Sequence, residues 1–481
     1  MNLMNIFNVY GRIFFLSFLV FIPAQGITQT PEIIGKIKGS WSGPLKAGPA
    51  ELTVVINISA NENDSLTATI DSPDQGAMGL ATSKVRVTSD SLIVRSKALR
   101  ATYKGAFGSD FTELTGTWTQ SGSEFPLSLH HSFEKYSLKR PQEPKPPYPY
   151  TEKEVLFSSE KDSIDLAGTL TLPEKGGPFP AVILITGSGK QNRDEEMMGH
   201  KPFLLLADYL TREGIAVLRF DDRGYGKSTG TFFTATTLDF ATDVVAAFDF
   251  LKRQNEIDTT RIGLAGHSEG GLVASIVASH QKEIAFLILL AGPGLTGEQI
   301  LLLQTALLNR NAGLREEDIA FETKLRTKIY QAIRKNSDNI KASEQIKMIL
   351  RSAKKKNPDR EGLVQIRDQQ ADLFIQECTT PWFRMFLELD PVDYLSHTKC
   401  PVLALNGSLD IQVPAKENLQ AIEKALIFGG NPDYTIDEIP GVNHLFQHAE
   451  TGNIDEYKKI EETMAPEVLE KIGEWIRKIV K

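Results

Sequence analysis

Between Ile33 and Phe133 apolar and polar residues alternate in short runs, among them Leu52-Thr-Val-Val-Ile-Asn-Ile58 and Ser91-Leu-Ile-Val-Arg95, each bounded by turn-formers. Alternation with period two puts one set of side chains on one face of an extended strand, so this stretch predicts a small all-β domain, a barrel or a sandwich. Ser40-Trp-Ser-Gly43 near its start and Thr115-Gly-Thr-Trp118 near its end predict first and last strands with related edges. Trp41 and Trp118 are read there as packing residues rather than a ligand platform. Pro141, Pro144, Pro146, Pro147 and Pro149 follow. Proline fixes φ and removes a backbone donor, which predicts a semi-rigid linker over 140–153.

From residue 154 the pattern changes. Pro180–Ile185, Ile215–Phe220, Arg261–Ala265, Phe286–Leu290 and Pro401–Leu405 are continuous apolar runs, as strands buried on both faces require. Helical stretches fit between them, notably Leu238–Gln254 and Gly271–His280. Strands alternating with helices predict an α/β domain with a mostly parallel central sheet, whose ligand site lies at the carboxyl ends of the strands. The alternation breaks over about 296–389, where amphipathic helices without a strand predict an inserted cap. The resulting division is 1–26, 27–139, 140–153 and 154–481.

The first of these segments is read as an export signal. Arg12 precedes an apolar run from Ile13 to Ile22, with Ala24 and Gly26 at a cleavage-like position, and the run is short for a bilayer span. The expected location is therefore periplasmic or extracellular, with no stable membrane span after signal removal. The chain's 481 residues allow two or three domains. With 53 basic against 61 acidic residues and a formal charge of -8, nothing electrostatic favours nucleic acid as a partner. The local run Lys354-Lys-Lys356 is read as a solvated helix end. The two cysteines, Cys378 and Cys400, lack metal-ligand spacing, and their bridging is left open.

The sharpest chemical signal is Gly266-His-Ser268-Glu-Gly270, set directly after an apolar strand and before a helical run. In that context a serine sits on a strained turn with its hydroxyl presented, and Ser268 is the candidate nucleophile. A serine hydroxyl needs a base to take its proton, so an acid and a histidine are sought further along, in that order. Three of the eight histidines, His397, His444 and His448, follow the cap. His444 occupies the loop Ile439-Pro-Gly-Val-Asn-His444 after a strand-like run and is the candidate base, with His448 as fallback. Asp410, in Gly407-Ser-Leu-Asp410 after another buried strand, is the candidate acid; Asp390 and Asp393 are read as helix or turn caps. An oxyanion needs two donors. The backbone N–H of Glu269 is one by position, and that of Ser188, in the loop Thr186-Gly-Ser-Gly189, is the expected second.

These segments, with Asn192-Arg-Asp-Glu195 and Phe220-Asp-Asp-Arg-Gly-Tyr-Gly-Lys-Ser228, resemble the α/β-hydrolase superfamily. More narrowly, they are similar to bacterial secreted or periplasmic esterases related to the serine aminopeptidases and prolyl oligopeptidases. The resemblance covers 154–481 and implies an α/β-hydrolase fold with a helical cap, preceded by the accessory β domain. It also implies hydrolysis of a small-molecule ester through Ser268, His444 and Asp410, with no metal and no cofactor, and a structural role for Asp222-Arg-Gly224. Two other readings stand beside it. The same constellation cleaves amides, so a serine peptidase or aminopeptidase, with Glu269, Glu195 or Glu196 holding the substrate amine, is the alternative. A glycan- or lipid-binding protein of the cell envelope on a degenerate hydrolase scaffold is the other, and the intact Ser268, Asp410 and His444 argue against it.

Overall fold

The computed structural model describes residues 31–481 except 48–49, 62–64, 74–76, 135–137, 160, 359 and 361–367. The export signal expected over 1–26 lies outside the described residues. Apart from 197–199, the described chain divides into two compact units, one ending at Lys139 and one running from Arg140 to Lys481.

The first unit opens with helix α1 (Pro31–Ile37) and continues in nine strands, β1 (Gly39–Ala47), β2 (Ala50–Ala60), β3 (Leu66–Ser72), β4 (Ala77–Ala81), β5 (Lys84–Val87), β6 (Ser91–Ser96), β7 (Ala101–Phe107), β8 (Glu113–Gln120) and β9 (Ser123–Ser132). All nine form one antiparallel sheet in the order β4-β3-β2-β1-β9-β8-β7-β6-β5. Its edge strands β4 and β5 are consecutive in the chain, with Thr82 and Ser83 between them, so the sheet curls until its ends approach. The expected barrel or sandwich is thus a single curled sheet. Trp41 and Trp118 are buried in its interior with Ile56, Tyr103 and Leu129, and serve packing.

The second unit is built on an eight-stranded sheet of β10 (Tyr150–Ser159), β11 (Ile164–Pro173), β12 (Phe179–Ile185), β13 (Ala216–Phe220), β14 (Ile257–His267), β15 (Leu287–Leu290), β16 (Val402–Gly407) and β17 (Tyr434–Ile439). The expected mostly parallel sheet is a mixed one. The pairings from β13 through β12, β14, β15 and β16 to β17 are parallel, whereas the hairpin β10–β11 and its junction with β13 are antiparallel. The hairpin escapes the βα rhythm because two antiparallel strands need no crossover helix.

Side chains of the inner strands alternate between two apolar layers. Ala181, Ile183 and Ile185 of β12 with Val402 and Ala404 of β16 face one side, where α3 (Thr237–Lys252), α4 (Glu269–His280) and α11 (Ala415–Phe428) pack. Val182, Leu184, Leu403 and Leu405 face the other, against α2 (Pro202–Arg212) and α12 (Pro466–Ile479). Strands covered on both faces must be apolar at every position, which is why they stood out as unbroken runs.

Between β15 and β16 lies the cap, α5 (Gly297–Asn311), α6 (Glu316–Lys335), α7 (Asn339–Lys356), α8 (Asp368–Cys378) and α9 (Pro381–Glu388), followed by the short α10 (Pro391–Leu395). Ile329, Ile333, Ile346, Phe383 and Leu387 give the cap an apolar core of its own. Lys354, Lys355 and Lys356 form the last turn of α7, where positive charge complements the helix dipole. Cys378 and Cys400 are both free thiols. Among the described residues no helix is long and apolar enough to cross a membrane.

The linker expected over 140–153 is a docked edge of the α/β unit instead. Arg140 donates from Nη1 to the Ile460 carbonyl at 3.1 Å, and the Gln142 amide oxygen accepts from the Thr463 N–H at 2.6 Å. Its last four residues belong to β10. Proline density revealed the extended backbone but not what that backbone rests on.

Candidate active site

Ser268 stands between β14 and α4 with φ 53° and ψ -123°, a conformation that costs an L residue energy and must be imposed by its surroundings. Its N–H donates to the Leu290 carbonyl at 2.8 Å and its own carbonyl accepts from the Gly271 N–H at 2.9 Å. Both glycines of the motif are required by close approach. A Cβ on Gly266 would lie 2.0 Å from the Gly270 carbonyl oxygen, and one on Gly270 would lie 2.2 Å from that of Ile185. The turn leaves Ser268 half-buried between the buried His267 and Glu269. No hydrogen bond among the described residues holds its hydroxyl.

Asp410 and His444 follow β16 and β17, and their loops are stitched together. Leu409 N–H donates to the Val442 carbonyl at 3.0 Å, and Gly441 N–H donates to the Ser408 hydroxyl oxygen at 2.8 Å. His444 Nδ1 lies 2.7 Å from Asp410 Oδ2, with the two side chains only 6% and 0% exposed. The other oxygen, Oδ1, accepts from the N–H groups of Gln412 and Val413, both at 2.8 Å. One oxygen is thus committed to its own loop and the other to the imidazole. His448, the fallback, is exposed and lies between Glu462 and Glu467. Asp390 caps α10 by accepting from the Val392 N–H at 3.0 Å, as its sequence context implied.

The loop after β12 runs against the serine turn, since a Cβ on Gly187 would lie 3.1 Å from the Cβ of Ser268. Gly187 N–H donates to Glu195 Oε1 at 2.8 Å. The next N–H, that of Ser188, meets no acceptor among the described residues, and neither does that of Glu269. Two backbone donors flanking the serine are therefore unspent. Asp222 fastens this loop by accepting from the Thr186 hydroxyl at 2.8 Å and the Gln191 N–H at 2.7 Å. Burial pushes its carboxyl up to about 8, against the pull of those two donors. Its neighbour Arg223 donates to Asp243 through Nε and Nη2, each at 2.8 Å. Both residues hold backbone in place, which fits the structural part expected of this segment.

The side chain of Glu269 gathers three elements. It accepts from the Ser188 hydroxyl at 2.7 Å, the Thr237 hydroxyl at 2.7 Å and the indole N–H of Trp382 at 2.8 Å. Burial raises its pKa, while the three donors draw it back toward the carboxylate. Trp382 belongs to α9, so a cap residue is tied directly to the residue following Ser268. Trp382→Phe is expected to keep the aromatic packing while leaving a buried carboxylate one donor short, at a cost of about 1–3 kcal/mol. Urea unfolding of the variant beside the parent measures it, and equal stability would show that the bond carries no energy.

Sequence reasoning did not foresee a second buried couple behind the serine. His267 Nδ1 lies 2.9 Å from Glu195 Oε1, and His267 Nε2 lies 3.0 Å from the His444 carbonyl oxygen. The two histidine rings are 4.7 Å apart. Burial works against the imidazolium of His267, but the charge and hydrogen bond of Glu195 outweigh it and hold its pKa above the ordinary value.

A serine on a strained strand-to-helix turn and a carboxylate-bound histidine, each following a strand of the same sheet, are features of a hydrolase. Residues 201–452 match the family described as serine aminopeptidase, S33. The chain belongs to this family. It is an α/β-hydrolase, and the matched stretch holds Ser268, Asp410 and His444, whereas Ser188 and Glu195 precede it. Esterase EstD of Thermotoga maritima is 24% identical over 333 residues, 69% of each chain. The uncharacterised protein YfhR of Escherichia coli O157:H7 is 32% identical over 138 residues, 28% of this chain and 45% of its own. Among solved structures, esterase Pf2001 of Pyrococcus furiosus is 19% identical, covering 71% of this chain and 98% of its own, with a TM-score of 0.42.

Proposed function

We propose that this hydrolase cleaves carboxylic esters of small molecules through an acyl-enzyme, with Ser268 as nucleophile, His444 as general base and Asp410 orienting the base. The observation that carries the reading is the fixed Asp410–His444 pair. With Nδ1–H donating to Asp410 Oδ2 at 2.7 Å, the imidazole is held in the tautomer whose Nε2 lone pair can receive a proton. Ser268 Oγ attacks the ester carbonyl carbon as His444 Nε2 takes its proton. The carbonyl π electrons move onto oxygen, and the backbone N–H groups of Glu269 and Ser188 receive the resulting anion. Collapse expels the alcohol, protonated by His444, and leaves the acyl group on Ser268. Water activated by the same base then releases the acid and restores the hydroxyl.

Ester rather than peptide hydrolysis is favoured by the state of the carboxylates flanking the serine. An aminopeptidase needs an open carboxylate to hold the substrate's ammonium group. Of the three candidate anchors, Glu269 is enclosed by three donors and Glu195 is occupied by Gly187 and His267, while Glu196 is exposed and accepts from the Asn192 side-chain amide at 3.2 Å. EstD is itself named as an esterase, which supports the same choice. An exported location remains part of the proposal and rests on the sequence of residues 1–26.

The test is a panel of p-nitrophenyl esters of graded acyl length beside aminoacyl p-nitroanilides. The expected outcome is turnover of the esters with anilides at least about 100-fold slower in kcat/KM, a margin of about 2.7 kcal/mol in transition-state binding. Anilide turnover equal to or above ester turnover would transfer the assignment to a peptidase.

A further inference from the structure

The sequence motif placed a histidine immediately before the nucleophile, and the mechanism above leaves it unused. His267 is nevertheless buried and bonded at both ring nitrogens, to residues 72 and 177 positions away. The chemistry of its partners fixes its protons. The His444 carbonyl oxygen can only accept, so Nε2 must carry a hydrogen. Nδ1 then shares the remaining site with Glu195 Oε1, and the same oxygen already accepts from the Gly187 N–H at 2.8 Å. An oxygen drawing on two donors is best matched by an ionised carboxylate, which places the shared proton on Nδ1.

The connections made by this one pair matter more than its charge. Glu195 Oε1 reaches the loop that carries Ser188. His267 is covalently joined to Ser268. Nε2–H reaches the main chain of His444, the residue whose side chain faces Asp410. Three segments that must agree in position for proton transfer and oxyanion binding therefore meet at a single imidazole. They come from the ends of β12, β14 and β17, which share no direct register with one another at that point beyond the pairing of β12 with β14.

We infer that His267 and Glu195 are positioning residues, a doubly bonded imidazolium–carboxylate pair that sets the His444 loop and the Gly187–Ser188 loop at their working distances from Ser268. The inference rests on the assignment of Ser268 and His444 made above. It predicts that losing the pair damages turnover more than substrate binding, because what suffers is alignment. A displacement of about 1 Å in such a site can cost about 100-fold in rate.

In Glu195→Gln the side chain keeps its shape but loses the charge that holds the second ring proton. The ring, keeping its hydrogen on Nε2 for the His444 carbonyl, then offers a lone pair at Nδ1, and the amide must turn its NH2 group to it and withdraw its oxygen from Gly187. The expected result is a fall in kcat of about 100-fold with KM changed less than about threefold. Glu195→Asp keeps the charge and is expected to recover part of that loss. On the parent enzyme, proton–nitrogen correlation spectra at pH 8 are expected to show both ring N–H groups of His267, where an ordinary histidine holds only one. That spectrum decides the matter even if Glu195→Gln fails to fold. A folded Glu195→Gln enzyme with kcat within threefold of the parent, or a single ring N–H on His267 at pH 8, would overturn the inference. Covalent labelling of the parent at Ser268 by a fluorophosphonate keeps the two assignments apart. Without labelling the nucleophile reading fails, while labelling together with an undisturbed Glu195→Gln enzyme removes only the positioning role.

Discussion

Ser268→Ala is expected to lower ester turnover by about 10⁶-fold, the scale of loss when the nucleophile of such a constellation is removed. The residual rate comes from the oxyanion donors and from binding, which the substitution leaves in place. Folding is expected to survive. The backbone at this position is strained for any L residue, so alanine adds no new penalty at φ 53°. The hydroxyl it removes makes no hydrogen bond among the described residues. Steady-state hydrolysis of p-nitrophenyl acetate, with circular dichroism to verify the fold, measures the effect. Retention of more than a few per cent of parental activity would assign the nucleophile elsewhere.

Asp410→Asn is expected to lower kcat by about 10⁴-fold, the loss known for the corresponding change in a serine protease triad. The geometry explains why a nearly isosteric change should matter so much. Two backbone N–H groups, of Gln412 and Val413, converge on Oδ1. An asparagine must turn its oxygen toward them, which directs its NH2 group at His444 Nδ1. The ring then has to accept at Nδ1 and carry its hydrogen on Nε2, the nitrogen needed to receive the proton of Ser268. Stability should change little, because the loop bonds persist. Measured kcat within tenfold of the parent in a folded variant would mean that another carboxylate orients the base.

How far such a site can be read from sequence depends on whether its parts are local. Ser268, Asp410 and His444 each sit in a short segment with its own strand and turn, so residue type and order were enough to single them out before any distance was known. The inner strands were legible for a related reason, since burial on both faces leaves an unbroken apolar run. The hairpin β10–β11 was not. Its first strand is mostly exposed over Thr151–Glu154, and proline density just before it favoured a linker. A glutamate 72 residues before His267 and a tryptophan 113 residues after Glu269 carry no local mark of their partners. Those contacts exist because separate strand ends and a cap helix converge in space. Of the carboxylates noticed for a substrate amine, Glu195 and Glu269 are filled by internal donors, whereas Glu196 is exposed and accepts from the Asn192 side-chain amide.

The most direct test of the central claim is to treat the intact enzyme with a fluorophosphonate and locate the adduct by peptide mass spectrometry. The account predicts one adduct, on Ser268, formed at a rate that falls sharply in Asp410→Asn and abolished in Ser268→Ala. An adduct on another residue, or undiminished labelling of Ser268→Ala, would contradict it.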